Sequence, residues 1–148
     1  MREILFRGKR TDNGEWVEGS LVLPNYELPN NAGLFLEGMA YICTSLHSIC
    51  VEDYDRRTLE LAGFVQVDPT TVGQYTGFYD KEGKKIFEGD ILRFRHGSRY
   101  PVFWEADCGA FGSCYYTDFD ILSQYNGVYD EVIGNIYDNP ELLEANNG

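Results

Sequence analysis

The chain has 148 residues, 43% of them hydrophobic and 24% charged, which is typical of one globular domain or two small ones and excludes a disordered chain or a coiled coil. Asp and Glu number 24 against 12 Lys and Arg, so the net charge of -12 disfavours nonspecific attraction to nucleic acid or to anionic lipid. Gly numbers 16, and Tyr, Phe and Trp number 11, 9 and 2. This composition favours short strands joined by tight turns and predicts a mainly β chain.

The first predicted element is a β-hairpin within Phe6–Val22, whose sequence is FRGKRTDNGEWVEGSLV. Asp12, Asn13 and Gly14 supply the turn, because Gly and Asn adopt the positive φ that other residues resist. The residues on either side form the two arms of the hairpin. Trp16 lies among alternating strand residues, and we expect it in the core, as we do Trp104.

In the middle of the chain the sequence patterns that predict secondary structure are weaker. Pro and Asn density predicts an irregular loop, and alternation predicts short strands. Asp68 is a predicted cap, followed by Pro69 at the first position of a single helical turn. In chain order the predictions are a loop at Pro24–Asn31, strands at Tyr41–Thr44 and Ser48–Val51, a polar turn or short helix at Glu52–Leu59, and a strand at Phe64–Val67.

A second hairpin is predicted at Tyr75–Leu92, YTGFYDKEGKKIFEGDIL, with its turn at Lys81–Gly83. Its glycines follow the order of those in the first hairpin, and both copies end in Glu-Gly, a polar residue and two aliphatic residues. Either a hairpin is written twice or local turn sequences have converged. The predicted structural turn residues are Gly8, Gly14, Gly77, Gly83, Gly89 and, further along, Gly134.

The last part of the chain also reads as β structure. Pro101 suggests a strand start or an edge, and Gly134 interrupts a closing strand where a bulge or a close backbone approach would lie. Asn139 is a predicted helix cap with Pro140 at the first helical position. The predicted elements are strands at Tyr100–Trp104, Ser113–Tyr116 and Tyr129–Tyr137, a helical turn at Asn139–Glu144, and a fraying end at Ala145–Gly148.

Charge is unevenly distributed. Six of the 12 basic residues lie within residues 81–100, whereas residues 101–148 contain nine Asp or Glu and no Lys or Arg. Two solvated faces of opposite sign account for this pattern, and they would also allow contacts between copies of the chain. The basic residues of this segment are Lys81, Lys84, Lys85, Arg93, Arg95 and Arg99.

Catalytic and metal motifs are weak. The four cysteines, Cys43, Cys50, Cys108 and Cys114, contain no C-x-x-C pair, so we expect free thiols in a reducing cytoplasm, although an even number leaves a disulfide possible. His47 and His96 complete neither a zinc motif nor a nucleophile motif. The acidic pairs Asp53 with Asp55 and Asp118 with Asp120 make no calcium loop and are read as solvated surface. We predict no enzymatic activity, cofactor or metal. The N-terminus lacks a signal-peptide core, and no apolar run is long enough to span a membrane.

Three blocks of sequence together resemble the YopX family, which is encoded by bacteriophages and prophages. They run from Arg2 to Val17, from Val67 to Ile91 with VGQYTG at its centre, and from Glu131 to Leu142 with VIGNIY at its start. The resemblance implies an α+β chain, mainly β with minor α. It implies an SH3-like β-barrel in the C-terminal part, which we place at residues 67–148, and a smaller N-terminal α+β part at residues 1–66. It implies no established biochemical activity.

These observations lead us to expect a phage or prophage accessory protein in the cytoplasm of the bacterial host. It would be a non-enzymatic protein-interaction module that binds itself or a phage or host protein, without a membrane. The expected contact residues are Lys84, Lys85, Arg93 and Arg95. One alternative is nucleic-acid binding by the basic hairpin 81–99, whose aromatic residues could stack on bases. The others are an acidic DNA mimic that inhibits a host DNA-binding protein, and an enzyme of another kind.

Overall fold

The computed structural model describes residues 1–23, 38–45, 63–94, 97–115, 118–121 and 131–144. Their backbone forms two compact units. We call Ile4–Gly73 the N-terminal unit, and Gln74–Gly148 together with Met1–Glu3 the C-terminal unit. The described residues are mainly β, as composition predicts. The domain boundary after residue 66 stays a prediction, because compact units need not fold separately. The predicted loop at Pro24–Asn31, the strand at Ser48–Val51 and the turn or helix at Glu52–Leu59 lie outside the described residues.

The N-terminal unit contains a sheet of consecutive antiparallel strands in the order β4-β3-β2-β1. The predicted first hairpin is confirmed, because Lys9 lies opposite Trp16 and Phe6 opposite Gly19. Its turn contains Gly14 at φ 73°. The strands are β1 (Phe6–Lys9), β2 (Trp16–Val22), β3 (Ala40–Cys43) and β4 (Phe64–Val67).

The core of this unit is built by strand alternation. Ala40, Ile42 and Val67 are completely buried, and half-buried apolar side chains of β1 and β2 pack on them. Gly8 lies inside β1, not in a turn as the sequence suggested. A Cβ atom at Gly8 would lie 2.8 Å from the Val67 side chain, so Gly8 permits close packing of β1 on the core.

A 3-10 helix, Pro69–Thr71, follows β4 as predicted. The Asp68 carboxylate accepts hydrogen bonds from the Thr70 backbone N–H (2.9 Å) and hydroxyl (2.7 Å), which lowers the pKa of Asp68. The Thr71 hydroxyl accepts a hydrogen bond from the Lys9 backbone N–H at 2.9 Å. The cap therefore also fixes this turn against β1.

The C-terminal unit contains the β5–β6 hairpin and two antiparallel groups of three strands, in the orders β12-β7-β8 and β11-β10-β9. Within the described residues these strands do not close into a barrel, so the SH3-like barrel is not confirmed. The elements are β5 (Gly73–Tyr79), β6 (Lys85–Phe87), β7 (Asp90–Arg93), β8 (Arg99–Pro101), β9 (Phe103–Glu105), β10 (Ala110–Tyr115), β11 (Asp118–Ile121), β12 (Glu131–Asn135) and α1 (Glu141–Glu144).

The second predicted hairpin is formed by β5 and β6, with Tyr75 opposite Phe87. Gly83, at φ 80°, lies in its turn, and Gly77, at φ 91°, lies where the register shifts between Tyr75 and Tyr79. Gly89, at φ 87°, lies in the next turn, whereas its counterpart Gly19 lies within β2. The two copies therefore share a hairpin and its turn glycine, but their other glycines occupy different backbone positions.

The core of the C-terminal unit is a cluster of buried apolar residues from different strands and the residue between β8 and β9. These residues are Ile86, Leu92, Val102, Phe111 and Val132. The predicted closing strand is present as β12, and its register shifts between Val132 and Gly134, which is the predicted irregularity. Gly134 lies within this strand and not in a turn.

Neither tryptophan belongs to the buried core. Trp16 is half-buried beneath two basic side chains, and Trp104 is 47% exposed. The prediction of Trp104 as a core residue is wrong because its cross-strand partner Phe111 takes the core position instead. The indole packs against the Phe111 ring from the outside, at 4.8 Å between ring centroids.

Candidate functional site

Three basic residues within residues 81–100 form ion pairs inside the chain. Lys81 lies 3.3 Å from the Glu131 carboxylate, and Arg93 also donates a hydrogen bond to it. These two cations lower the pKa of Glu131, Arg93 having the larger effect. Lys85 forms an ion pair with Glu3 at 3.0 Å.

Of the four predicted contact residues, Lys84 is exposed and forms no ion pair with any described residue. Lys85 and Arg93 are paired, and Arg95 lies outside the described residues. Intrachain pairing neutralises part of the positive charge that the sequence concentrates at residues 81–100. The structure therefore gives the basic hairpin less free charge than its sequence implies.

Aromatic side chains stabilise the base of the same hairpin. Tyr75 is buried and packs against Phe87 and Tyr79, with ring centroids 5.6 and 5.9 Å apart. Burial, aided by a hydrogen bond with Tyr79, raises the pKa of the Tyr75 phenol. The Lys85 ammonium lies 5.4 Å from the centre of the Tyr75 ring. The rings of this cluster pack on one another and the Tyr75 hydroxyl has a hydrogen-bond partner in Tyr79, so the cluster stabilises the fold.

A different part of the C-terminal unit forms a concave site. A cavity of about 330 Å³ is lined by five residues, and we call it the Trp104 cavity. Its volume is at the lower end of the range of ligand pockets in proteins. Two aromatic rings form one part of its lining, and polar side chains form the rest. The lining residues are Arg2, Gln74, Glu88, Trp104 and Phe111.

The charged groups of the Trp104 cavity, unlike Lys81, Lys85 and Arg93 of the basic hairpin, form no ion pair with described residues. Glu88 accepts one long hydrogen bond, at 3.5 Å, from the backbone N–H of Gln74. Arg2 forms no ion pair with any residue that the structure describes. A carboxylate, a guanidinium and a half-exposed indole are therefore available to a ligand at one place. Trp and Arg are also the residues that most often dominate protein interfaces.

Glu88 is positioned by a tightly held turn between β6 and β7. The Gly89 N–H donates to the Val102 carbonyl, and the Gly89 carbonyl accepts from the Ile136 N–H, at 2.8 and 2.9 Å. The buried Asp90 carboxylate accepts the Phe87 N–H at 2.8 Å. The sequence marked Gly89 as a turn residue but did not indicate that Glu88 would line one cavity with Trp104 and Phe111.

The segment after β12 closes on the same turn. Asn135 accepts hydrogen bonds from the backbone of Tyr137 and Asp138, at 3.0 and 2.9 Å. The Asn139 side chain accepts from the Asn135 N–H at 3.3 Å, so it binds β12 and not the helix N-terminus for which it was predicted as a cap. The predicted C-terminal helical turn is present as α1.

The residues weighed for metal, thiol and nucleophile chemistry lie only partly within the described part of the chain. Among the described residues there is no cluster of three or more His, Cys, Asp or Glu that could hold a metal ion. Cys43 and Cys108 are free thiols. His47, Cys50 and His96 lie outside the described part of the chain. In that part, no helix has both the length and the apolar character needed to cross a bilayer.

The model of the YopX protein family matches residues 5–144, and the chain therefore belongs to the YopX family. Among solved structures, the chain is similar to the crystal structure of protein EF1440 from Enterococcus faecalis. The two share 26% sequence identity and a TM-score of 0.58, over 97% of this chain and 99% of that one. No curated protein matches the chain.

Proposed function

We propose that this member of the YopX family is a non-enzymatic protein-interaction module encoded by a phage or prophage, and that the Trp104 cavity is its contact site. The observation that carries the proposal is the 47% exposure of Trp104 beside Arg2 and Glu88, neither of which forms an ion pair with a described residue. Exposing a large indole has a free-energy cost in water that burial in an interface removes. The resemblance to the YopX family supports a phage or prophage origin.

A photo-crosslinking experiment tests this function. The full chain is expressed in a bacterial host with a photo-reactive phenylalanine analogue at position 104, and in parallel at position 13. Asn13 is exposed in the turn between β1 and β2, belongs to neither proposed contact surface, and is the matched control. A crosslinked protein product of one defined mass from position 104, absent from position 13, is the expected result. Equal products, or none from either position, contradict the proposal.

Self-association would use a surface other than the Trp104 cavity, with the basic hairpin of one copy against the acidic C-terminal strands of another. The intrachain pairs of Lys81, Lys85 and Arg93 leave Lys84 as the described basic group best placed for it. Sedimentation of the full chain at low and at high salt measures it. An assembly that dissociates at high salt supports charge-driven self-association, and a monomer at both concentrations contradicts it.

The same ion pairs weaken the nucleic-acid alternative. Phosphate binding depends on free Lys and Arg that can replace counterions, and Lys81, Lys85 and Arg93 each already contact a carboxylate. The net charge of -12 also disfavours binding to a nucleic acid.

A further inference from the structure

We propose that the Trp104 cavity recognises an arginine side chain of the partner protein; this rests on the interaction role proposed above and names the chemistry that the partner presents. The guanidinium of arginine stacks on the face of an indole and forms paired hydrogen bonds with a carboxylate. The cavity places Trp104 and Glu88 in one lining, which supplies both kinds of contact.

The half-buried ring of Trp16 and the buried ring of Tyr75 already have such a partner. The Arg7 guanidinium lies 4.7 Å from the centre of the Trp16 ring, and the Lys9 ammonium 5.8 Å from it. The Lys85 ammonium lies 5.4 Å from the Tyr75 ring. In the described part of the chain no cation lies over Trp104. Its ring is therefore free to receive one from another molecule.

Glu88 provides the negative charge that would pair with the guanidinium of an arginine ligand. From the described residues its carboxylate accepts a single 3.5 Å hydrogen bond, which leaves most of its acceptor capacity unused by them. Lysine would supply only a point charge here, whereas the planar guanidinium can meet both the ring and the two carboxylate oxygens. The site therefore favours arginine over lysine.

The charge of the whole chain also favours a cationic ligand. The net charge is -12, and residues 101–148 carry no basic residue. Long-range attraction would bring a basic segment to this surface. Arg2 is the one lining residue that opposes a cation, and it is exposed. Removing its charge should strengthen arginine binding, whereas it would weaken the binding of a carboxylate.

The experiment uses the full chain and three blocked tripeptides, each with one residue between two glycines. That residue is arginine, its uncharged isostere citrulline, or glutamate. Binding is followed at physiological salt by NMR, through the indole N–H signal of Trp104, which is assigned by its loss in Trp104→Phe. The unchanged indole signal of Trp16 and the amide spectrum report that each variant is folded. We expect the arginine peptide alone to shift the Trp104 signal.

Variants then identify the contacts. Glu88→Gln should weaken binding of the arginine peptide about tenfold or more, which is the loss expected when an ionic hydrogen bond is removed. The matched control Glu82→Gln, which removes the same charge elsewhere, should leave the affinity unchanged. Arg2→Gln should strengthen binding about two- to fivefold, as expected for removing a nearby like charge in a solvated site.

Three results would overturn this inference. They are equal binding of the arginine and citrulline peptides, preferential binding of the glutamate peptide with loss in Arg2→Gln, and no shift with any peptide. None of them removes the proposed interaction role, which the crosslink from position 104 tests independently. Conversely, absence of that crosslink with retained arginine binding would refute the interaction role and keep the ligand chemistry.

Discussion

At the scale of single residues, the buried carboxylate of Asp80 determines the geometry of the second hairpin. Its Oδ1 accepts the backbone N–H groups of Glu82 and Lys84, at 2.9 and 2.8 Å, and its Oδ2 accepts that of Val132 at 3.1 Å. The residue is 6% exposed. One side chain therefore closes the turn of the β5–β6 hairpin and attaches it to β12, which lies about fifty residues later in the chain.

The substitution Asp80→Asn should lower the free energy of unfolding by about 1.5–3 kcal/mol, the usual contribution of a hydrogen bond to a charged group. An amide cannot accept all three N–H groups, because one of its two polar atoms is a donor. Urea denaturation of the two proteins measures the difference. Glu82→Gln, on the exposed part of the same turn, should change the unfolding free energy by less than about 0.5 kcal/mol. Equal stability of Asp80→Asn and the wild type would show that the carboxylate is not required.

At the scale of elements, two motifs that carry the family resemblance lie against each other. The turn after β6 binds the segment after β12 through the Ile136 N–H and the Gly89 carbonyl. A Cβ atom on Gly89, which has φ 87°, would lie 3.1 Å from the Tyr137 ring. The glycine is therefore required both by its backbone conformation and by the contact. Packing between these segments explains why both are recognisable in the sequence.

Gly134→Ala tests the packing of β12 against the Asn139 side chain that follows it. An alanine Cβ would lie 2.5 Å from Oδ1 of Asn139, the atom that accepts the Asn135 N–H, so we expect a loss of about 1–3 kcal/mol in stability. In Gly134→Ala with Asn139→Gly all three side-chain atoms of residue 139 that crowd the new Cβ are removed, and the double variant should be no less stable than Asn139→Gly alone. Chemical denaturation of the four proteins gives the coupling energy. Strictly additive losses would contradict the proposed contact.

At the scale of the whole molecule, an acidic chain places its few cations where they offset particular carboxylates. Glu131 at the start of β12 is shared by Lys81 of the hairpin turn and Arg93 of β7, so one carboxylate links three elements. These ion pairs hold elements of the chain together. They form because carboxylates outnumber cations in the chain, so a cation finds a carboxylate within its own chain. This pairing explains why the charge pattern of the sequence exaggerates the free basic surface.

The lowered pKa of Glu131 predicts a pH dependence. A carboxyl whose pKa is lower in the folded state stabilises the fold above its unfolded pKa, and this contribution is lost as the pH falls through the folded value. The difference in unfolding free energy between wild type and Glu131→Gln should therefore be largest near neutral pH and vanish in acid. Arg93→Met should reproduce this behaviour in part. A difference that does not change with pH would refute the linkage.

The sequence by itself determined the mainly β class, both glycine-turn hairpins, the Asp68 cap, the irregularity at Gly134 and the family. Each depends on local chemistry, namely strand alternation, the positive φ of a turn glycine, or a hydrogen bond to a near neighbour. Only the tertiary structure decided the exposure of Trp104, the ion pairs of Lys85 with Glu3 and of Arg93 with Glu131, and the placement of Arg2 and Glu88 in one cavity. These depend on contacts between residues far apart in the chain, and the alternation of apolar and polar residues does not encode which strand covers an indole.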